Sequence, residues 1–108
     1  MAESFEQGRI VSHAEVNTIS DGIAVRNPIP EVLEDMRGTV DRVLALDDAS
    51  TIEAMRLLHR HVGLVAEPSG AVGLAAILGN AELFKGRLAA MIVCGGNLSR
   101  EQVKMYLA

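Results

Sequence analysis

The stretch Val65-Ala66-Glu67-Pro68-Ser69-Gly70-Ala71-Val72-Gly73-Leu74-Ala75-Ala76, with Val93-Cys94-Gly95-Gly96-Asn97 further along, decides how this chain is read. The apolar residues Leu64 to Ala66 predict a short strand. Glu67 and Pro68 break it, and a proline suits the opening of a helix because its missing N–H is not needed there. The helix is predicted from Pro68 to about Leu78, stopping near Gly79-Asn80. It carries no charged residue, which predicts burial on all sides. Leu88 to Val93 is a continuous apolar run, the pattern of a parallel-sheet strand covered on both faces. Each of these strands leads through a turn into a helix. Ligands of open parallel sheets bind beyond the carboxyl ends of the strands. A helix N-terminus there favours an anion or a polar ring substituent. The turns Glu67-Pro68-Ser69-Gly70 and Cys94-Gly95-Gly96-Asn97 are therefore the candidate site, a backbone-lined place for a flat, polar group.

Working outward, the chain alternates strand-like and helix-like segments. Val16 to Val25 reads as a short strand or extended loop with an Asp21-Gly22 turn signal. Asn27-Pro28-Ile29-Pro30 is a stiff connector, and Pro30 can open a short helix over Glu31 to Arg37, ended by Gly38. Asp41 to Leu46 predicts another strand. Asp47 and Asp48 offer helix caps, and Ser50-Thr51-Ile52-Glu53 has capping-box spacing. The following helix runs to about Val62, with Ile52, Met55, Leu58 and Val62 on one stripe and Glu53, Arg56 and Arg60 facing away. Gly63 ends it. Ser99-Arg100-Glu101-Gln102 is a second capping box, opening a helix to about Leu107. This order predicts an α/β fold: a partial three-layer arrangement on a mainly parallel sheet of about three to four strands.

Composition bounds the function. The 108 residues allow one domain, and 49% are apolar, so a core is attainable. With two Phe, one Tyr and no Trp, that core is built from aliphatic residues and Met. The net charge of -4 and the scattered basic residues argue against nucleic acid, which requires a positive stripe. No apolar run approaches a membrane span, and the N-terminus has no secretory h-region. The lone Cys94 cannot form an internal disulfide, which points to a reducing, cytoplasmic setting.

The residues themselves leave alternatives. Glu67 either caps the helix that follows or faces a ligand. Cys94 is either a small buried hydrophobe or a hydrogen-bonding or nucleophilic thiol. Asp21-Gly22 is either a plain turn or part of an active-site loop. His59 and His61 are two apart on a helix and make a poor metal pair. Neither turn carries a Walker A or GxGxxG pattern.

Three motifs together carry a resemblance: Thr18-Ile19-Ser20-Asp21-Gly22-Ile23-Ala24-Val25-Arg26, Glu67-Pro68-Ser69-Gly70-Ala71 and Cys94-Gly95-Gly96-Asn97. In this order and spacing the chain, from about Ser4 to its end, resembles the fold-type II pyridoxal-phosphate enzymes, in the branch of threonine/serine dehydratases (threonine ammonia-lyases) and serine racemase. The resemblance implies the C-terminal part of a tryptophan-synthase-β-like large domain, with residues 1–108 as one partial domain and no regulatory domain. It implies pyridoxal 5′-phosphate as cofactor and a hydroxy amino acid as substrate, deaminated to a 2-oxo acid and ammonia. It places Cys94 at the pyridine nitrogen, Glu67 beside the ring, Gly22 in the loop lining cofactor and substrate, and Gly95 and Gly96 against the ring.

The same resemblance marks what this sequence lacks. The family's Schiff-base lysine, its glycine-rich phosphate loop and its cation loop belong to upstream segments. Lys85 and Lys104 have neither the motif nor the context of that lysine. The expectation is a C-terminal segment with no catalytic residue of its own, inactive alone, binding the cofactor weakly or not at all. It would partner the missing N-terminal portion or self-associate through exposed apolar surface. The alternative expectation is a non-catalytic oligomerising or interaction protein that keeps the fold.

Overall fold

The computed structural model describes all residues from Met1 to Ala108. Six helices form: α1 (Ala2–Gln7), α2 (Pro30–Met36), α3 (Asp48–Val62), α4 (Pro68–Gly79), α5 (Ala81–Phe84) and α6 (Arg100–Leu107). A single 3₁₀ turn spans Asp21–Ile23. The chain gathers into two compact units, one of residues 1–18 and 23–45, the other of residues 19–22 and 46–108.

In the first unit, Pro30 opens α2 at its first turn as its fixed φ allows. Leu33 is buried beneath that helix. Ser4 of α1 is wholly buried, and its hydroxyl accepts from Val11 N at 2.9 Å. Arg37 Nη2 donates to Gly8 O at 3.2 Å, and His13 N donates to Arg26 O at 3.0 Å. Residues 16–25 form a loop around the 3₁₀ turn and no strand.

The second unit is built on α3 and α4, with α6 packed against α3. Its core is Ala54, Met55, Leu58, Ala66, Ala71, Ala75 and Tyr106. The stripe of α3 is rotated from the predicted one: Thr51, Ala54, Met55 and Leu58 are buried, while Val62 is 63% exposed in the last turn. Arg56, predicted to face away, donates from Nε to Tyr106 O at 2.8 Å and so ties α3 to the end of α6. Asp47, not Ser50, caps α3, accepting from Ser50 N at 2.6 Å. That bond holds the Asp47 carboxyl below its ordinary value of 3.8. Gly63 closes α3 in the left-handed region at φ 72°. The capping box at Ser99 and Gln102 forms as predicted, with bonds of 2.8 and 3.1 Å.

One expectation is corrected, and another finds no ladder in this chain. Helix α4 is not covered on all sides: Pro68, Gly70, Ala71 and Ala75 are buried, but Leu78 is 51% exposed. A uniformly apolar sequence gives no preferred face, so neighbours alone decide which side is covered. The predicted strands do not form either. Residues 41–46, 64–66 and 88–93 lie outside any helix and pair in no ladder. Leu88 is fully exposed and Ile92 84% exposed, so the run read as doubly covered has bare side chains. A strand exists only through bonds to a neighbour, and here residues 64–67 and 93–96 meet through a single backbone bond, Glu67 N to Gly95 O at 3.0 Å.

Candidate cofactor site

The second unit brings three turns together: Asp21-Gly22, Glu67-Pro68-Ser69-Gly70 and Cys94-Gly95-Gly96-Asn97. Glu67 is the hub. It is the residue before α4, yet its side chain makes no cap bond to that helix. Its carboxylate instead crosses thirty positions along the chain, Oε2 accepting from Asn97 N at 3.2 Å. Its backbone N–H donates to Gly95 O. One residue therefore binds the last turn by both main chain and side chain. The helix-capping reading of this carboxylate is excluded by that geometry.

The glycines are required by contact. Gly95 adopts φ 72°, a conformation costly to L side chains, and a Cβ on it would run into the Glu67 carboxyl group, with Glu67 Cγ at 2.8 Å. A Cβ on Gly70 would strike the carbonyl of Cys94, whose carbon would lie 2.8 Å away. At Gly22 a Cβ would sit 2.8 Å from Ser69 Oγ, 3.2 Å from Ser69 Cβ and 3.9 Å from Glu67 Oε1. Gly96 packs beside the carbonyl of Val65, where a Cβ would lie at 3.0 Å. The turns can approach this closely only because those side chains are absent.

Of the residues singled out in the sequence, Gly22, Glu67 and Gly95 are brought to one place. Cys94 enters through its backbone: its carbonyl rests on Gly70, while the residue as a whole is exposed. The reading of Cys94 as a small buried hydrophobe is thereby set aside. His59 and His61 both stand exposed near the end of α3. Two features escaped the sequence reading. One is the main-chain N–H of Asn97, which receives the Glu67 carboxylate. The other is Ser69, whose Oγ is buried without a hydrogen-bond partner. A hydroxyl at the second position of a charge-free helix was the available signal for it.

The family model for pyridoxal-phosphate dependent enzymes matches residues 1–95. The chain belongs to that family. Among its relatives, the β-hydroxyaspartate dehydratase of Paracoccus denitrificans is 35% identical over 101 residues, covering 93% of this chain and 31% of that protein. The serine racemase of Arabidopsis thaliana is 38% identical over 80 residues, covering 73% of this chain and 24% of that enzyme. Among solved structures, a T.th. threonine deaminase superposes with a TM-score of 0.83 at 31% identity, over 91% of this chain and 35% of the deaminase. The chain thus spans between a quarter and about a third of the length of the relatives it matches. These matches support the α/β fold of the family. The cofactor of the family is pyridoxal phosphate. No helix of the chain is long and apolar enough to cross a membrane.

Proposed function

We propose that residues 1–108 are a C-terminal segment of the large domain of a pyridoxal-phosphate-dependent dehydratase acting on L-threonine or L-serine, in amino-acid metabolism. The observation that carries this reading is the meeting of Gly22, Glu67 and Gly95, one from each of the three motifs, on a single carboxylate. Sheet formation by residues 41–46, 64–66 and 88–93 belongs to the same proposal, as pairing with the remainder of the domain. So does a reducing, cytoplasmic setting, supported by the single exposed thiol.

The residues present suit the cofactor. Gly95 and Gly96 offer bare backbone for a flat ring, and an orphaned buried hydroxyl lies nearby on Ser69. Cys94 would hold the ring nitrogen through a neutral thiol, a weak hydrogen-bonding partner that leaves the nitrogen unprotonated. Glu67 would stand beside the ring with one oxygen already fixed by Asn97 N, so its second oxygen keeps a set direction. Gly22 would line the substrate side without a side chain to obstruct it. When bound, the cofactor supplies an electron sink for eliminating the substrate hydroxyl. The chain supplies orientation and a fixed charge. The base and the lysine that anchors the cofactor come from the remainder of the enzyme.

The test is 2-oxobutanoate production from L-threonine with added pyridoxal 5′-phosphate. The expected result is none from this chain alone and measurable product when it is mixed with the N-terminal part of a related dehydratase. Product from the chain alone would refute the proposed division of labour. A folded mixture giving neither product nor a cofactor absorbance band would refute the dehydratase reading itself. In the active mixture, Cys94→Ala is expected to slow turnover without abolishing cofactor absorbance.

A further inference from the structure

We infer that Ser69 is a ligand-binding residue, its hydroxyl kept under the Asp21-Gly22 turn and freed to donate a hydrogen bond when that turn moves aside. Ser69 Oγ is buried and makes no hydrogen bond. Such a group has lost its water and gained nothing in exchange, so the fold holds it at a cost that a function has to explain. Gly22 packs directly on it, close enough that a Cβ there would lie 2.8 Å from the hydroxyl oxygen.

The covering turn is short and exposed. It is three residues of 3₁₀ helix, Gly22 is exposed, and Ile23 is 54% exposed. Its stem is fixed: Ser20 is buried, and Ile19 N donates to the Asp48 carboxylate at 3.2 Å. A short exposed turn on an anchored stem can swing without disturbing α3 or α4.

The neighbours of the hydroxyl specify what it takes. Glu67 Oε1 lies 3.9 Å from the same point above Gly22. Ser69 can donate and the carboxylate can only accept. A ligand hydroxyl satisfies both, accepting from Ser69 while donating to Glu67. That chemistry is carried by the ring hydroxyl of the pyridoxal group and by the side chain of a 3-hydroxy amino acid. The inference rests on the cofactor reading above and deepens it by adding a residue that selects for a hydroxyl.

The test uses the chain mixed with the N-terminal part of a related dehydratase, with the melting temperature of the mixture followed as pyridoxal 5′-phosphate and L-threonine are added separately and together, in the parent and in Ser69→Ala. Ligand-free Ser69→Ala is expected to melt no lower than the parent, because no bond is lost. Its apparent affinity for the probe is expected to fall about tenfold, the worth of one hydrogen bond. A loss seen with pyridoxal phosphate alone assigns the ring hydroxyl, and a loss seen only with threonine present assigns the amino acid. A lower melting temperature for ligand-free Ser69→Ala would mean that the hydroxyl already serves the fold, overturning the inference. Equal affinity in both chains would overturn it while leaving the cofactor reading intact. Absence of binding in both would overturn the two together.

Discussion

Gly95 tolerates no side chain in this fold. Any side chain there meets two penalties at once, a left-handed backbone and the Glu67 carboxyl group in the same space. Gly95→Ala is expected to lose about 1–2 kcal/mol from the backbone alone, with the collision in addition, measured by urea unfolding. Glu67→Gln keeps the shape but weakens a charge-assisted bond to Asn97 N, so a smaller loss is expected from the same experiment. Asp47 gives a pH signature. Its folded carboxyl titrates below the ordinary 3.8, so the charged cap stabilises α3 above that value, and the benefit is lost as the pH falls through the lower folded value. Melting curves of the parent and Asp47→Ala are expected to converge in that acid range, and a gap that persisted unchanged would contradict the assignment. The importance of Gly95 was legible in the Cys94-Gly95-Gly96-Asn97 turn. The target of the Glu67 carboxylate was not, because Asn97 contributes a main-chain N–H that any residue would have supplied.

Helices with strong end signals were readable, the seven-residue α2 opened by Pro30 among them, and the two shortest were not. Pro68 opens α4, Gly63 closes α3, and Ser99 with Gln102 starts α6 as their residue types require. Helices α1 and α5, of six and four residues, are too short to show a period, and α1 buries a serine in place of an apolar stripe. The segments expected as strands stay unpaired for a different reason. An apolar run reports that a segment wants cover, while a ladder needs a partner that the segment does not encode. Small residues at the α3–α4 contact set a prediction at this scale. Ala71 and Ala75 are only 0% and 1% exposed, so Ala71→Leu is expected to destabilise the chain by about 1–3 kcal/mol through overpacking. Calorimetric melting measures this, and a neutral result would mean that α4 can shift outward on α3.

In the second unit as a whole, a compact core coexists with bare apolar chain. Met55 is wholly buried, whereas Leu88 and Ile92 are almost fully exposed and contribute nothing comparable. Leu88→Lys with Ile92→Lys is expected to change stability by no more than about 0.5 kcal/mol while suppressing self-association in light scattering. A large loss of stability would mean that residues 88–93 are covered in solution. The bond from Glu67 to Asn97 has a use of its own. The Asn97 amide donates to a side chain thirty positions away, so this bond protects it from hydrogen exchange only while the Glu67 and Asn97 turns are assembled. Its single resonance would then serve as a built-in gauge of whether those turns are joined, read without any assay of turnover.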